Sequence, residues 1–152
     1  MASSVQGSCL CGGVEFEVTL PFLWANYCHC SRCRKHSGAE AGVQARVARD
    51  QFKLLSGEEL IRVYEPDDGA VKAFCSVCGS SLFGYRWPEG DEVAIRLGTL
   101  DGDPSIRPEW HSFVGSKPPW SELPTTGCRA SARGTPTPSR PKGRARSSAA
   151  AR

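Results

Sequence analysis

The residues of this sequence that point most directly to chemistry are its cysteines. The 152-residue chain has eight of them, and seven fall into three closely spaced groups. These groups are Cys9 and Cys11 (C-x-C), Cys28, Cys30 and Cys33 (C-x-C-x-x-C), and Cys75 and Cys78 (C-x-x-C). Closely spaced cysteines let a tight turn offer two ligands, and zinc prefers thiolate sulfur in a tetrahedral shell. The spacing therefore predicts metal binding, while Cys128 stands alone.

Seven thiolates do not divide into two closed sites of four, which predicts two kinds of zinc site. Structural zinc sites use four protein ligands, whereas catalytic ones commonly use three and leave one position open. The two pairs together would make the closed site, called the quartet here: Cys9, Cys11, Cys75 and Cys78. The remaining group would make the open site, called the triplet: Cys28, Cys30 and Cys33. We therefore expect two zinc ions per chain.

Other uses of these cysteines are open at this point. A single zinc ion with spare thiols fits the spacing, and so does an iron–sulfur cluster. Disulfides fit less well, because a C-x-C bridge closes a strained small ring. The N-terminal MASSVQGSCLCGG also has neither the basic nor the apolar region of a secretory signal. We expect a cytoplasmic, reducing location, where clustered cysteines more often bind metal than form disulfides.

The elements that must position the cysteines are short strands. Apolar residues alternate with polar ones in five runs separated by Gly, Pro and Asp, a pattern typical of half-buried antiparallel strands. The runs lie at 14–18, 43–47, 61–63, 83–85 and 93–97. Only residues 31–37 predict a helix, with Ser31 as a possible N-cap and Gly38 as the stop. The sequence thus predicts a mainly β fold with short helical turns.

The end of the chain differs in composition from the rest. Residues 125–152 hold seven Arg or Lys, no acid, and no Leu, Ile, Val or aromatic residue. Such a segment cannot bury enough apolar surface to offset its ordering entropy. We therefore expect one domain over residues 1–124 and a disordered basic tail over 125–152.

Charge and hydropathy limit the partners. Without the tail, twelve basic residues face sixteen acidic ones. A mildly acidic domain is a poor general nucleic-acid binder, so any such affinity would come from the tail. No run in the sequence approaches the roughly 20 apolar residues of a bilayer-spanning helix, and we expect no membrane partner.

Three segments that contain the cysteines form a distinctive combined motif. The segments are Gly7-Ser8-Cys9-Leu10-Cys11-Gly12-Gly13-Val14, Cys28-His29-Cys30-Ser31-Arg32-Cys33-Arg34-Lys35 and Phe74-Cys75-Ser76-Val77-Cys78-Gly79-Ser80. Together they resemble the glutathione-dependent formaldehyde-activating enzyme (GFA) family, which shares its domain with centromere protein V. The similarity extends from about Gly7 to Pro124, and includes Leu97-Gly98-Thr99-Leu100-Asp101 and Lys117-Pro118-Pro119-Trp120. It implies an Mss4-like, β-sandwich-type fold stabilised by zinc.

The resemblance also implies roles for the cysteines. By motif match, the quartet takes the structural zinc and the triplet the catalytic one. The implied activity is that of a carbon–sulfur lyase that forms or cleaves S-(hydroxymethyl)glutathione. Its co-substrates would be glutathione or another small thiol, and an aldehyde.

Charged and aromatic residues near the triplet are further candidates. Three thiolates and one zinc ion leave a net negative charge, which Arg32, Arg34 and Lys35 would offset while receiving substrate carboxylates; each is equally well interpreted as an ordinary surface charge. His29 could act as a general acid or ligand, but its place between two ligands favours an orientation away from the metal. Weaker candidates are His36 and His111, and three tryptophans are expected in the core: Trp24, Trp110 and Trp120.

Two other functions compete with a lyase. A zinc-stabilised binding module without catalysis would use the basic tail to engage nucleic acid or another acidic partner, and its binding would weaken with salt. A thiol-based sensor would instead release zinc from the triplet under mild oxidant and change a partner interaction.

Overall fold

The computed structural model describes residues 2–123 and 129–132. Within these residues it has eleven strands and one α-helix, α1, at Ser31–Ser37. The strands are β1 (Ser4–Ser8), β2 (Glu15–Thr19), β3 (Trp24–Cys28), β4 (Gly42–Ala48), β5 (Phe52–Ser56), β6 (Ile61–Tyr64), β7 (Val71–Cys75), β8 (Ser81–Tyr85), β9 (Glu92–Arg96), β10 (Trp110–Ser112) and β11 (Arg129–Ala130). Single 3-10 turns lie at Arg49–Gln51, Glu58–Leu60, Leu97–Thr99 and Val114–Ser116. The prediction of a mainly β fold with short helical turns is confirmed.

The strands form two sheets. The smaller sheet is antiparallel and has the order β1-β2-β5, and the larger has the order β11-β10-β3-β4-β9-β8-β7-β6. Only β10 makes parallel pairs among the described strands, with β3 on one side and β11 on the other. Cys28 at the end of β3 pairs with Gly42 of β4 and with Ser112 of β10. The register thus places the first cysteine of the triplet between two strands of the large sheet.

An aromatic cluster joins the two sheets in one core. Phe16 of the small sheet packs edge-on against Phe83 of the large sheet, with ring centroids 5.1 Å apart. Phe52 contacts both of these rings, and Trp87 stacks on Phe83 at 4.3 Å. Phe16 and Phe83 are fully buried. Burying such rings supplies a large apolar area, and each well-oriented pair adds about 0.5–1.5 kcal/mol.

A glycine contact fixes the small sheet at the turn that carries the N-terminal cysteines. Gly57 has φ +79°, and a Cβ placed on it would lie 2.1 Å from the carbonyl oxygen of Gly13. Only glycine allows this close approach together with a left-handed backbone. The turn after β5 therefore packs directly on the turn between β1 and β2.

The five predicted strands are found, with differences in detail. The alternating runs lie on β2, β4, β6, β8 and β9. Val63 on β6 is exposed rather than half-buried, and Leu97 belongs to a 3-10 turn. The predicted helix is confirmed at Ser31–Ser37 and ends at Gly38 in the left-handed conformation. The proposed N-cap was wrong: Cys30 caps the helix, because its sulfur accepts the backbone N–H of Cys33, and Ser31 is the first helical residue.

Most of the predicted tail, including Cys128, lies outside the described residues. Residues 129–132 are described, and Arg129–Ala130 forms β11 beside β10. The division of the chain at residue 124 stays a prediction. In the described part of the chain, no helix is long and apolar enough to cross a membrane.

Candidate metal centres

The four sulfur atoms of the quartet lie together, although their cysteines come from distant parts of the chain. Cys9 and Cys11 follow β1, Cys75 ends β7, and Cys78 lies in the turn before β8. The four Sγ atoms all lie within 4.8 Å of one another, with 3.4 Å between Cys9 and Cys11 and 3.9 Å between Cys11 and Cys75. Tetrahedral zinc with Zn–S bonds of about 2.3 Å needs sulfur atoms about 3.8 Å apart. The quartet could therefore hold a metal ion.

Two tight turns present these sulfurs, and a hydrogen bond joins the turns. In the first, the backbone N–H of Val14 donates to Cys9 Sγ at 3.3 Å. In the second, the N–H of Gly79 donates to the carbonyl of Cys75 at 2.8 Å, with Gly79 at φ +75°. The N–H of Leu10 donates to Ser80 Oγ at 2.9 Å and so connects the turns. The same Ser80 hydrogen-bonds to the sulfur of Cys78 and lowers the pKa of that thiol to about 5, which favours the ligating thiolate.

The triplet lies where β3 meets α1. Cys28 ends the strand, Cys30 caps the helix and Cys33 lies in its first turn, and their Sγ atoms are within 4.8 Å of one another. Cys28 and Cys33 are buried and Cys30 is partly exposed. In residues 2–123 and 129–132, no further His, Cys, Asp or Glu joins this group. The triplet therefore offers a metal ion three protein ligands.

Two buried cations act on the triplet. Lys72 of β7 is only 4% exposed and donates from Nζ to Cys33 Sγ at 3.4 Å. Arg96, at the end of β9, is 8% exposed and interacts electrostatically with Cys33. The pKa of Cys33 lies far below its ordinary value, because the thiols of Cys28 and Cys30 hydrogen-bond to its sulfur and because both cations favour the thiolate.

A cavity of about 310 Å³ lies beside the triplet. It is lined by Arg32, Lys35, His36, Tyr64, Pro66 and Lys72. Lys72 connects the cavity to the triplet, since it also contacts Cys33. Three of the six lining side chains carry a positive charge, so the cavity suits an anionic ligand.

A larger groove, of about 700 Å³, lies across the β6–β7 loop and contains none of the thiols. Its lining includes Glu65, Gly69, Tyr85 and Trp87. The smaller cavity, in contrast, is lined by Lys72, which contacts Cys33 of the triplet.

The sequence profile of the family described as "Glutathione-dependent formaldehyde-activating enzyme" matches residues 4–116, which include both cysteine clusters. The chain belongs to this GFA family.

Relatives support the assignment. A protein of Halomonas elongata is provisionally named a glutathione-dependent formaldehyde-activating enzyme. It is 36% identical to this chain over an alignment that covers 78% of this chain and 80% of the Halomonas protein. A protein of Podospora anserina with the same provisional name is 26% identical over an alignment that covers 71% of this chain and 53% of the Podospora protein. A crystal structure of a Rhodobacter sphaeroides protein matches 64% of this chain and 89% of that chain, with a TM-score of 0.53 and 29% identity.

The three cations that the sequence predicts near the triplet have different surroundings. Arg32 and Lys35 line the cavity, and Arg32 also forms an ion pair with Asp68 in the β6–β7 loop. Arg34 does not line the cavity, and its buried Nε has no hydrogen-bond partner among the described residues. The cation in direct contact with a triplet sulfur is instead Lys72.

The histidines near the triplet contact other side chains rather than the cysteine sulfurs. His29 Nε2 lies 2.8 Å from His111 Nδ1, and both rings are buried. The ring of Tyr27 stacks on His111 with a centroid distance of 4.7 Å. Burial lowers the pKa of both histidines, which favours their neutral forms. His36 lines the cavity and hydrogen-bonds through Nδ1 to Ser81 Oγ at 2.9 Å.

Two of the three tryptophans lie where the sequence predicts. Trp110 is buried and Trp24 is partly buried, with ring centroids 5.2 Å apart. The expectation was wrong for Trp120, which is 72% exposed. None of the three lines the cavity beside the triplet.

Sequence reasoning missed Lys72 and Arg96. Lys72 lies in the run Val71-Lys72-Ala73-Phe74, where a charged side chain normally marks the solvent face. A signal was present at Arg96, since it ends an apolar run, Val93-Ala94-Ile95, and precedes Leu97. Nothing in the local sequence, however, connects either residue with the cysteines.

Proposed function

We propose that this protein is a zinc-dependent carbon–sulfur lyase that forms and cleaves the S-hydroxymethyl adduct of a small thiol, with glutathione and formaldehyde as its substrates. One observation carries the proposal: three clustered thiols with no fourth protein ligand in the described residues adjoin a cationic cavity. The family membership and the names of two relatives support it.

Each cysteine cluster would hold one zinc ion, in a different role. The quartet offers a complete tetrahedral shell, so its zinc would be structural. The triplet would hold the catalytic zinc by Cys28, Cys30 and Cys33. A zinc ion there would supply Lewis acidity, which makes a thiol more acidic near neutral pH.

The cationic cavity would bind and orient the thiol substrate. Glutathione carries two carboxylates, and Arg32 and Lys35 are placed to receive them at the cavity wall. Tyr64 and Pro66, which also line the cavity, supply apolar surface. Such positioning converts the encounter of thiol and aldehyde into a reaction between oriented groups.

The reaction is an addition without redox change. The thiol loses its proton, its sulfur attacks the carbonyl carbon of formaldehyde and forms the carbon–sulfur bond, and the carbonyl oxygen takes up a proton. Cleavage reverses these events. Since this chemistry requires reduced thiols, we place it in a reducing compartment such as the cytoplasm.

Exchange NMR of carbon-13 formaldehyde with glutathione tests the function. The rate is compared without protein, with the intact protein, with Cys33→Ser, and with Cys128→Ser as a control outside the clusters. The proposal expects faster exchange with the intact protein and the control, and the spontaneous rate with Cys33→Ser. Equal rates in all four samples would show that this adduct is not its substrate.

A further inference from the structure

Lys72 and Arg96 are charged groups without an acidic partner. Both are almost fully buried, at 4% and 8% exposure. No Asp or Glu forms an ion pair with either of them within residues 2–123 and 129–132. A buried cation without a counter-charge is strongly disfavoured. The negative charge that balances them must therefore come from the thiolates.

A row of hydrogen bonds across the large sheet holds Arg96 in place. Its Nη1 donates to Gln44 Oε1 at 2.8 Å. Gln44 Nε2 donates to Asn26 Oδ1 at 3.2 Å, and Asn26 Nδ2 donates to Ser112 Oγ at 2.9 Å. The four residues belong to β9, β4, β3 and β10, and Ser112 is the register partner of Cys28. The row thus connects the guanidinium group to β3, the strand that ends at Cys28.

The backbone of β8 leaves room for this guanidinium group. A Cβ on Gly84 would lie 3.0 Å from Arg96 Nη2, so the glycine allows the close approach. The charge of Arg96 acts on all three thiols of the triplet, most strongly on Cys33. Cys33 also receives the hydrogen bond from Lys72. Two fixed cations therefore act on the same sulfur.

We propose that Lys72 and Arg96 make the triplet site selective for an anionic ligand at its fourth position, so that it takes a thiolate in preference to a neutral donor. The proposal rests on the proposed function, which requires a metal ion at the triplet and a thiol that reaches it. A zinc ion offsets two of three thiolate charges, and a fourth thiolate would raise the net charge to −2. The two cations restore neutrality.

The test is ligand binding to the full-length protein loaded with Co²⁺, which reports sulfur ligation by its absorption. The quartet contributes a constant spectrum, so changes on titration come from the triplet. Two probes are compared, 2-mercaptoethanol as the thiolate and imidazole as the neutral donor. We expect Lys72→Met and Arg96→Met each to weaken thiolate binding about 10- to 100-fold, because each removes one of the two positive charges that attract the added thiolate, and to change imidazole binding much less.

Three variants serve as controls. Arg46→Met removes another buried cation of the large sheet, which stacks on Tyr85 at 3.7 Å and pairs with Glu92, and should keep the ratio of the two affinities. Lys72→Arg and Arg96→Lys keep the charge and should retain most of the selectivity. If Arg96→Met fails to fold, Gln44→Met removes the acceptor of Arg96 instead and should reduce the selectivity.

The outcomes separate this inference from the proposed function. The inference is overturned if the ratio of thiolate to imidazole affinity stays at the wild-type value both in Lys72→Met and in Arg96→Met, or in Gln44→Met where that variant replaces it. This holds whatever the formaldehyde exchange rate. A selective site in the intact protein without faster exchange would instead refute the lyase function and leave the inference standing.

Discussion

Gly42 lies directly against Cys33, the buried cysteine of the triplet. A Cβ on Gly42 would be 3.1 Å from Cβ of Cys33, closer than carbon atoms normally approach. Gly42 is also the register partner of Cys28, so it adjoins two of the three triplet cysteines. The glycine thus allows the helix carrying Cys33 to lie close to β4.

Replacing Gly42 with alanine should weaken metal binding at the triplet and spare the quartet. The added methyl group displaces Cys33 by a few tenths of an ångström, and groups that orient metal ligands typically matter by about 10- to 100-fold in affinity. We expect mild chelation to remove one of two zinc ions from Gly42→Ala while the intact protein retains both, as measured by native mass spectrometry. Gly98→Ala is the control, because a Cβ there meets nothing within 4 Å. Equal zinc retention in Gly42→Ala and the intact protein would contradict this role.

The quartet should matter more for stability than the triplet. Cys75→Ser removes a fully buried thiol from a cluster that joins the end of β7 to the turn after β1. Structural zinc contributes about 10–16 kcal/mol in small domains, comparable to the whole stability of about 5–15 kcal/mol. We expect Cys75→Ser to lack a cooperative thermal transition by circular dichroism. Cys28→Ser serves as the comparison and should melt cooperatively with one zinc ion bound; cooperative melting of both variants would contradict a structural quartet.

The aromatic cluster between the sheets should dominate the remaining stability. Phe83 is fully buried and contacts the rings of Phe16, Phe52 and Trp87. Phe83→Ala should lower the free energy of unfolding by about 3–5 kcal/mol, because it removes buried surface and leaves a cavity. Urea denaturation of the zinc-loaded protein measures the change. Tyr64→Ala is the control, since this exposed ring should change stability by only about 0.5 kcal/mol; similar losses in the two variants would show that the cluster is not the core.

The cysteine clusters and the cationic residues differ in how far the sequence predicts them. Ligand spacing is local, so Cys28, Cys30 and Cys33 could be grouped before any fold was known. The position of Arg96 depends on its pairing with Gln44, more than fifty residues earlier, and the sequence does not specify that register. Lys72 was missed because burial of a charged strand residue is set by packing around it, not by alternation. Cys30 displaced Ser31 as the helix cap because its sulfur accepts the N–H of Cys33 at 3.3 Å and the helix already begins at Ser31.

Arg32 is held by two features of the β6–β7 loop. It forms an ion pair with Asp68, and a Cβ on Gly69 would lie 3.0 Å from its Nη1. Both charged side chains are substantially exposed, so the pair contributes only about 0–1 kcal/mol to stability. The ion pair competes with any substrate carboxylate for the same guanidinium group.

Breaking this ion pair should therefore change substrate binding rather than stability. We expect Asp68→Asn to lower the KM for glutathione about two- to fivefold, because Arg32 is freed, and Arg32→Met to raise it by at least as much, with kcat nearly unchanged in both. Exchange NMR at varied glutathione concentration measures both constants. Asp103→Asn is a matched control, because Asp103 forms another exposed ion pair, with Arg107. A KM that stays constant in Arg32→Met would show that this guanidinium group does not receive the substrate.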